Sequence, residues 1–461
     1  MEEEKLKELY KDLYGQNPVV TRLKGGGSSR AYFRLKNGAV TAIGVFEEDI
    51  RENNIFLRLN SMLRKNGIAV PKILSVSTDS KAYLLEDLGD TALFDLLKGE
   101  NKVSLAKRAL KELIQIQCID EKEWSDLVGY APFSERLVRW DLNYFKYDFL
   151  KPAGIAFDEE KLEDDFDLIV KRLTKEKMET GFMYRDFQSR NIMMKDEAFR
   201  FIDFQGARKG PMVYDAVSMI WQAKAPFTYE EREELSGYYI DLLSQEKSVN
   251  RDELSKQFHL MEILRGLQVL GAYGFRGLIE KKSHFLESIN KGVENLNYFK
   301  QRGQLHDYPE LEKTIEKISQ KFLERSENGD KLTVTIFSFS YKRGYPEDLS
   351  GNGGGFMFDC RAIHNPGRYD EYKKLTGKDK EVIKFLEDTG EADIFIKNAY
   401  NIVSPSIERY IKRKFTSLQV GFGCTGGQHR SVYCAEKFGR MIKENFPQIN
   451  VRIIHKEQGN I

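Results

Sequence analysis

Tyr184-Arg185-Asp186-Phe187-Gln188-Ser189-Arg190-Asn191, followed after a predicted hairpin by Phe201-Ile202-Asp203-Phe204, is the most informative stretch of this chain. An aspartate, an asparagine five residues on and a second aspartate beyond one hairpin form a specific triplet. It suits phosphoryl transfer, which needs positioning and charge neutralisation more than covalent chemistry. In that chemistry Asp186 orients an acceptor hydroxyl and takes its proton. The side-chain oxygen of Asn191 and the carboxylate of Asp203 hold Mg²⁺, a hard cation that prefers oxygen ligands. A charged hairpin with Asp186 as a turn residue is the plain alternative. The Phe-Ile-Asp-Phe continuation at the right distance favours catalysis.

Upstream, Leu23-Lys24-Gly25-Gly26-Gly27-Ser28-Ser29-Arg30 precedes the first predicted strand. Gly25, Gly26 and Gly27 add no bulk, so with Ser28 their N–H groups can approach phosphates closely. Ala31–Leu35 and Ala39–Phe46 predict strands around the turn Lys36-Asn37-Gly38. Glu52–Lys65 predicts a helix with Ile55, Leu59 and Met62 on one face. Pro71 opens a strand-like region, and Ala82–Leu88 reads as another strand. Within it Tyr83–Glu86, ending in Glu86, would offer groups to a nucleotide base. The strand Ala39–Val45 contains no lysine to meet nucleotide phosphates. Arg30 or Arg34, with Glu52 on the next helix, are the substitutes.

From Thr91 to Leu323 the pattern is mostly helical, with a β-like island from Phe182 to Phe204. Leu254–Leu270 and Glu310–Arg325 read as helices. Ser326-Glu327-Asn328-Gly329-Asp330 breaks the pattern and marks a domain boundary. Beyond it come strands at Leu332–Ser338, Phe356–Asp359 and Ser417–Phe422, and helices at Lys380–Asp388, Ala399–Phe415 and Ser431–Asn445. Between the last strand and the last helix lies Gly423-Cys424-Thr425-Gly426-Gly427-Gln428-His429-Arg430-Ser431. Successive N–H groups in such a turn, backed by a helix N-terminus, form a concave anion site. Arg430 can add a bidentate phosphate contact. Cys424 and Arg430 also have the C-x₅-R spacing of a thiolate nucleophile, with Asp359 as a candidate acid that nothing in the sequence places nearby.

The chain has 461 residues, enough for two to four domains at roughly 100–200 residues each. With 41% hydrophobic and 12% aromatic residues it can build full-sized cores, which excludes wholesale disorder. No apolar run is long enough for a membrane span. The charged start, Met1–Tyr14, is not that of a signal peptide, so the expected location is the cytoplasm. Four scattered cysteines contain no C-x-x-C pair, which argues against a zinc ribbon or a disulfide framework. The net charge of +1 hides a contrast: 21 Lys/Arg face 15 Asp/Glu from Lys331 onward, and 51 face 56 before it. That excess is small for a nucleic-acid surface, and the basic run Lys412-Arg413-Lys414 suits a solvated helix face.

Arg30-Ala31-Tyr32-Phe33-Arg34, Leu84–Asp90, Tyr184–Asn191, Ile202-Asp203-Phe204-Gln205 and Gly210–Asp215 together resemble the aminoglycoside phosphotransferase family. Within it they are most similar to the anomeric N-acetylmuramate/N-acetylglucosamine kinases (AmgK-like). The resemblance covers about residues 1–320. It implies an α+β, two-lobed protein-kinase-like fold at 1–325, with an N-lobe at about 1–90 and a C-lobe at about 91–325. It also implies ATP and Mg²⁺ as cofactors and an amino-sugar hydroxyl as acceptor. Tyr184 stands where the family has the His of H-x-D.

Gly423–Tyr433, Asp359-Cys360-Arg361, His364-Asn365-Pro366 and Leu375-Thr376-Gly377-Lys378-Asp379 resemble the C-terminal domain of the RNase adapter RapZ, over 331–461. That resemblance implies a separate α/β domain that senses an amino-sugar phosphate. Its ligand residues would be Cys424, Thr425, Gly426, Gly427, His429, Arg430 and Ser431, with Asn365 and Thr376 beside them. The family's domain also binds a small RNA. Its usual Walker-type partner, G-x-x-x-x-G-K-[ST], does not occur here, which argues against carrying the RNA role over. Both halves point to amino sugars and phosphate, hence to a sugar kinase fused to a sugar-phosphate sensor. The competing reading is a regulatory nucleotide- and metabolite-binding adapter with little transfer activity. An aminoglycoside resistance kinase ranks below both. The sequence does not fix the oligomeric state.

Overall fold

The computed structural model describes residues 2–23, 30–323, 331–346 and 355–458. Two compact units emerge, Met1–Ile279 with Ser288–Ser319, and Glu280–Glu287 with Gln320–Ile461. The break expected at 326–330 lies outside the described residues.

In the first unit, β1 (Val19–Arg22), β2 (Ala31–Asn37), β3 (Val40–Phe46), β4 (Ile73–Val76) and β5 (Ala82–Glu86) form an antiparallel sheet in the order β1-β2-β3-β5-β4. Gly38, at φ +58°, makes the β2–β3 turn in a conformation glycine adopts without steric penalty. Ala31, Phe33 and Leu35 alternate onto one face of β2 and are buried with Leu6 and Tyr10 of the helix Glu2–Tyr14. Fully burying a side chain of this size stabilises the fold by about 1.5–3 kcal/mol. The helix expected at 52–65 starts at Ile50, because the Asp49 carboxylate caps it by accepting from Arg51 N at 2.9 Å. Its Phe56 stacks on Tyr83 of β5 (centroids 5.4 Å apart) and on Phe204 (4.9 Å). An aromatic column thus joins the sheet to the segment that carries Asp203.

The remainder of this unit is mainly helical: Lys102–Gln117, Glu135–Phe145, Glu159–Thr174, Tyr229–Lys247, Arg251–Tyr273 and Pro309–Phe322. Two small antiparallel pairs interrupt it. β6 (Thr180–Met183) pairs with β9 (Arg208–Pro211), and β7 (Ile192–Lys195) pairs with β8 (Ala198–Phe201).

In the second unit, β10 (Thr333–Ser340), β11 (Phe356–Asp359), β12 (Ser417–Cys424) and β13 (Asn450–His455) form a parallel sheet in the order β11-β12-β10-β13. Val334, Ile336, Val420 and Phe422 are fully buried with residues of the helices Lys380–Asp388, Glu391–Lys412 and Arg430–Asn445, as a covered parallel sheet requires. The helix expected from Ala399 starts at Glu391, directly after Gly390 at φ +65°. Ser340 and Cys424 are paired at the carboxyl ends of β10 and β12, the end where open α/β sheets bind ligands. Among the described residues no helix is long and apolar enough to cross a membrane.

Helix Arg251–Tyr273 crosses Glu135–Phe145 so closely that a Cβ on Gly271 would stand 2.8 Å from the Tyr144 carbonyl carbon. Alanine in place of glycine favours an exposed helix by roughly 0.8–1 kcal/mol, whereas overpacking costs about 1–3 kcal/mol. Gly271→Ala is therefore expected to lower the urea midpoint. Gly237→Ala, whose Cβ would meet only the Arg251 guanidinium at 3.7 Å, is expected to raise it.

Candidate functional site

Asp186, Asn191 and Asp203 come from two loops that β7 and β8 bring together. Asn191 closes a short 3₁₀ turn before β7, and Asp203 follows β8. The Asn191 amide Nδ2 donates to Asp203 Oδ2 at 3.2 Å and to the Asp186 carbonyl at 2.9 Å. With its NH₂ so committed, its oxygen remains as an acceptor. Gln205 Nε2 donates to Asp203 Oδ1 at 2.7 Å, a support that the sequence reading did not identify. Burial, then the Asp203 charge, raise the Asp186 carboxyl above the usual range, against the pull of Arg185 and Arg265. Among the described residues no three His, Cys, Asp or Glu gather as a self-sufficient metal site. A cation at Asn191 and Asp203 would take its other ligands from water or phosphate, as Mg²⁺ commonly does.

The loop owes its shape to Asp215, which is fully buried. Its carboxylate accepts from Tyr184 N at 2.7 Å and Arg185 N at 2.9 Å. Arg185 lies at φ +80° and Asp203 at φ +69°, both in the left-handed region. Such a residue costs about 1–3 kcal/mol and persists only where its surroundings over-determine it. The Tyr184 phenol donates to the Ile202 carbonyl at 2.6 Å, tying the two loops together. Asp215 entered the sequence reading only within a resemblance. The available signal was a carboxylate inside the apolar run Met212-Val213-Tyr214-Asp215-Ala216-Val217.

On the nucleotide side, Gly25, Gly26, Gly27 and Ser28 lie outside the described residues. Arg30, 3% exposed, pairs with Glu52 at 3.1 Å, and Tyr130 donates to the other Glu52 oxygen at 2.9 Å. Arg34 is committed elsewhere. Its guanidinium meets Asp87 and Asp90, each at 2.8 Å, and straps β2 to the segment after β5. Glu86 is also engaged: Lys195 reaches its carboxylate at 2.8 Å, and its amide donates to the Lys72 carbonyl at 2.8 Å. Burial opposes ionisation of Glu86, yet Lys195 and the Lys72 amide hold it below the usual carboxylate range.

In the second unit the turn at 424–431 connects β12 to the helix Arg430–Asn445. Cys424 Sγ receives the Gly427 amide at 3.2 Å and contacts Ser431 Oγ at 3.2 Å, and both side chains are buried. Gly427, at φ +71°, has no room for a side chain against Glu457. Arg430 donates to the carbonyls of Arg361 (2.8 Å) and Ile363 (2.9 Å), so it braces the neighbouring loop. His429 bonds the Tyr372 carbonyl at 2.9 Å. The segments carrying Asn365 and Thr376 reach this turn. Gly377 donates to the Gln428 carbonyl at 3.0 Å, and a Cβ on Gly367 would lie 3.4 Å from the His429 ring. The Asn365 and Thr376 side chains serve local turns, with Asn365 accepting from Gly367 N and Thr376 donating to Asp379. Thr425 and Gly426 are the exposed part. Asp359 is spent on Arg361, at 2.7 Å.

The Phosphotransferase enzyme family model matches residues 19–249, and the RapZ C-terminal domain model matches residues 332–459. A nucleotide-binding protein of Nitrosomonas europaea is 39% identical over 116 residues, 25% of this chain and 38% of its own. One from Thermosipho melanesiensis is 40% identical over 115 residues, 25% of this chain and 40% of its own. The chain thus spans about two fifths of the length of these curated relatives. Among solved structures, a putative aminoglycoside phosphotransferase from Ralstonia eutropha is 11% identical, with 69% of this chain and 98% of that chain covered and a TM-score of 0.48.

Burial pushes Asp215 up to about 7, whereas an exposed aspartate titrates near ~4. The folded chain therefore keeps a proton that the unfolded chain releases. The resulting stabilisation is complete below about pH 4 and is lost as pH rises through about 7. Urea midpoints measured between about pH 5 and pH 8 are expected to fall more steeply for the wild type than for Asp215→Asn, whose amide does not titrate.

Proposed function

The chain belongs to the Phosphotransferase enzyme family and carries a RapZ C-terminal domain; on that premise we propose that it transfers the γ-phosphoryl group of ATP to a hydroxyl of an amino sugar. The observation that carries this reading is the junction of Asp186, Asn191 and Asp203 around one amide. The acceptor oxygen attacks the γ-phosphorus as the bond to the β–γ bridging oxygen breaks. The hydroxyl proton passes to the Asp186 carboxylate, and ADP leaves. Burial strengthens Asp186 as a base by holding its proton affinity above that of an exposed aspartate.

The oxygens of Asn191 and Asp203 would hold Mg²⁺, which neutralises phosphate charge when bound. Arg30 supplies the cation missing from the strand, and Glu52 holds it as an acidic partner holds the strand lysine in kinases. Arg34, bound by Asp87 and Asp90, has a bracing role. The turn at 424–431 would bind a sugar phosphate mainly through its main chain, because the Arg430 side chain is engaged elsewhere.

Purified protein with Mg²⁺-ATP and a panel of amino sugars, with products identified by NMR, tests this reading. Asp186→Asn is expected to lower kcat by about 10²–10⁴-fold, the range for loss of a general base. Surviving turnover would overturn that assignment. Arg30→Met is expected to raise the KM for ATP more than Arg34→Met does. ATP binding without transfer to any acceptor would leave the adapter reading.

A further inference from the structure

Beside Asp186 the helical lobe gathers charged groups that the transfer step does not use. Arg185 precedes the base, Arg208 opens β9, Arg265 lies on the helix Arg251–Tyr273, and Asp141 lies on the helix Glu135–Phe145. Buried Tyr214 stands among them. The guanidinium carbons of Arg185 and Arg265 lie 5.3 and 4.6 Å from its ring centre, and Arg265 Nη1 donates to its phenol at 2.7 Å. Arg208 lies 5.0 Å from the ring centre of Tyr130.

Arg208, Arg265 and Asp141 are 9%, 8% and 6% exposed. Charges taken out of water to this extent are normally paired, because removing one partner of a buried pair is strongly destabilising. Here the pairing is incomplete. Among the described residues no ion pair joins Arg185, Arg208, Arg265 or Asp141 to any carboxylate or cation. Asp141 Oδ2, Arg185 Nη1 and Arg265 Nε are buried without a hydrogen-bond partner. Arg208 makes one long bond, from Nε to the Gly206 carbonyl at 3.5 Å. Burial, and then the charge of Arg185, lower the proton affinity of Arg208, against the smaller opposing pull of Tyr214, Tyr130 and Asp141. Besides the base itself, two carboxylates act on these guanidiniums, Asp141 and the fully buried Asp215, and Asp215 is already engaged by the Tyr184 and Arg185 amides.

We propose that the acceptor carries an oxyanion, a carboxylate or a phosphate monoester, received by Arg185, Arg208 and Arg265, while Asp141 accepts from a hydroxyl or amide N–H of the same molecule. Planar guanidiniums match either oxyanion through paired N–H···O bonds. A cationic amine in the same place would meet three like charges. The proposal rests on the transfer reading, because the adjacent base, Asp186, is what makes this the acceptor side.

Matched probes test it on the full chain: N-acetylglucosamine 6-phosphate against N-acetylglucosamine, and glucuronate against glucose, with glucosamine as the cation. Binding is measured by calorimetry on Asp186→Asn with Mg²⁺ and a non-hydrolysable ATP analogue, and turnover on the wild type. In at least one pair the anionic member is expected to bind about tenfold or more tightly than its neutral parent, the scale of a charge-assisted bond. Which pair shows the effect tells phosphate from carboxylate. Arg208→Met and Arg265→Met are each expected to raise the KM of that anionic member about tenfold more than that of its parent, with Arg208→Lys recovering part of the loss. Neutral or cationic members bound as tightly as both anionic ones would overturn the proposal. So would variants that weaken both members of a pair equally, because that marks a purely structural cluster. Anion-selective binding with no transfer to any probe would support the oxyanion site and sink the transfer reading. Transfer without anion preference would do the reverse.

Discussion

A single buried carboxylate sets the geometry of the candidate site. Asp215 accepts two backbone N–H groups from Tyr184 and Arg185 and so holds Arg185 in a left-handed conformation that a non-glycine residue avoids. A hydrogen bond contributes roughly 0.5–1.5 kcal/mol net, against about 1–3 kcal/mol for the strained residue. Two such bonds offset most of the strain. With the loop pinned, the Tyr184 phenol reaches Ile202, the Asp186 carbonyl meets the Asn191 amide, and that amide meets Asp203. The positions of all three expected site residues follow from one anchor beneath them.

What the sequence revealed and what it hid divide by range. Asp186, Asn191 and Asp203 were legible because a turn and one hairpin separate them, so their spacing alone constrains their meeting. Helices such as Arg251–Tyr273 were legible from the burial of Leu254, Phe258, Met261 and Leu264 at helical spacing. The start of Glu391–Lys412 was not, because the exposed Ile394 and Ile402 blur the apolar stripe. Arg30 and Arg34 stand as equal candidates in the sequence because nothing local shows that Asp87 and Asp90, far along the chain, hold Arg34. Asp215 and the Arg208–Arg265 cluster were hidden for the same reason: their partners are long-range, and an isolated charge in an apolar segment does not name what it faces.

The two expected cation substitutes differ in a way that burial explains. Arg34 is partly exposed and divides itself between the largely buried Asp87 carboxylate and the exposed Asp90, where screening limits what the pair contributes. Arg30 is nearly inaccessible, and its partner Glu52 is itself held by the Tyr130 phenol. A buried guanidinium on a half-buried carboxylate that has one further hydrogen bond is fixed in direction as well as charge. A cation that must meet a phosphate repeatedly in the same place requires both. The helix Ile50–Lys65 therefore has two duties, stacking Phe56 on the aromatic column and presenting Glu52 to Arg30.

Asp186 lies between opposite charges. Asp203 raises its proton affinity, and the guanidiniums of Arg185 and Arg265 lower it, with burial tipping the balance upward. A base in that position is sensitive to whatever fills either side. A divalent cation on Asn191 and Asp203 would cancel the raising influence and weaken the base. An oxyanion seated on the guanidiniums would cancel the lowering influence and strengthen it. The acceptor would then restore part of the basicity that the metal removes, so with a metal in place proton uptake at Asp186 would be more favourable with the oxyanion seated than without it. A water molecule, which brings a hydroxyl but no negative charge, gives no such compensation. The same arrangement that selects an anionic acceptor would therefore disfavour phosphoryl transfer to solvent.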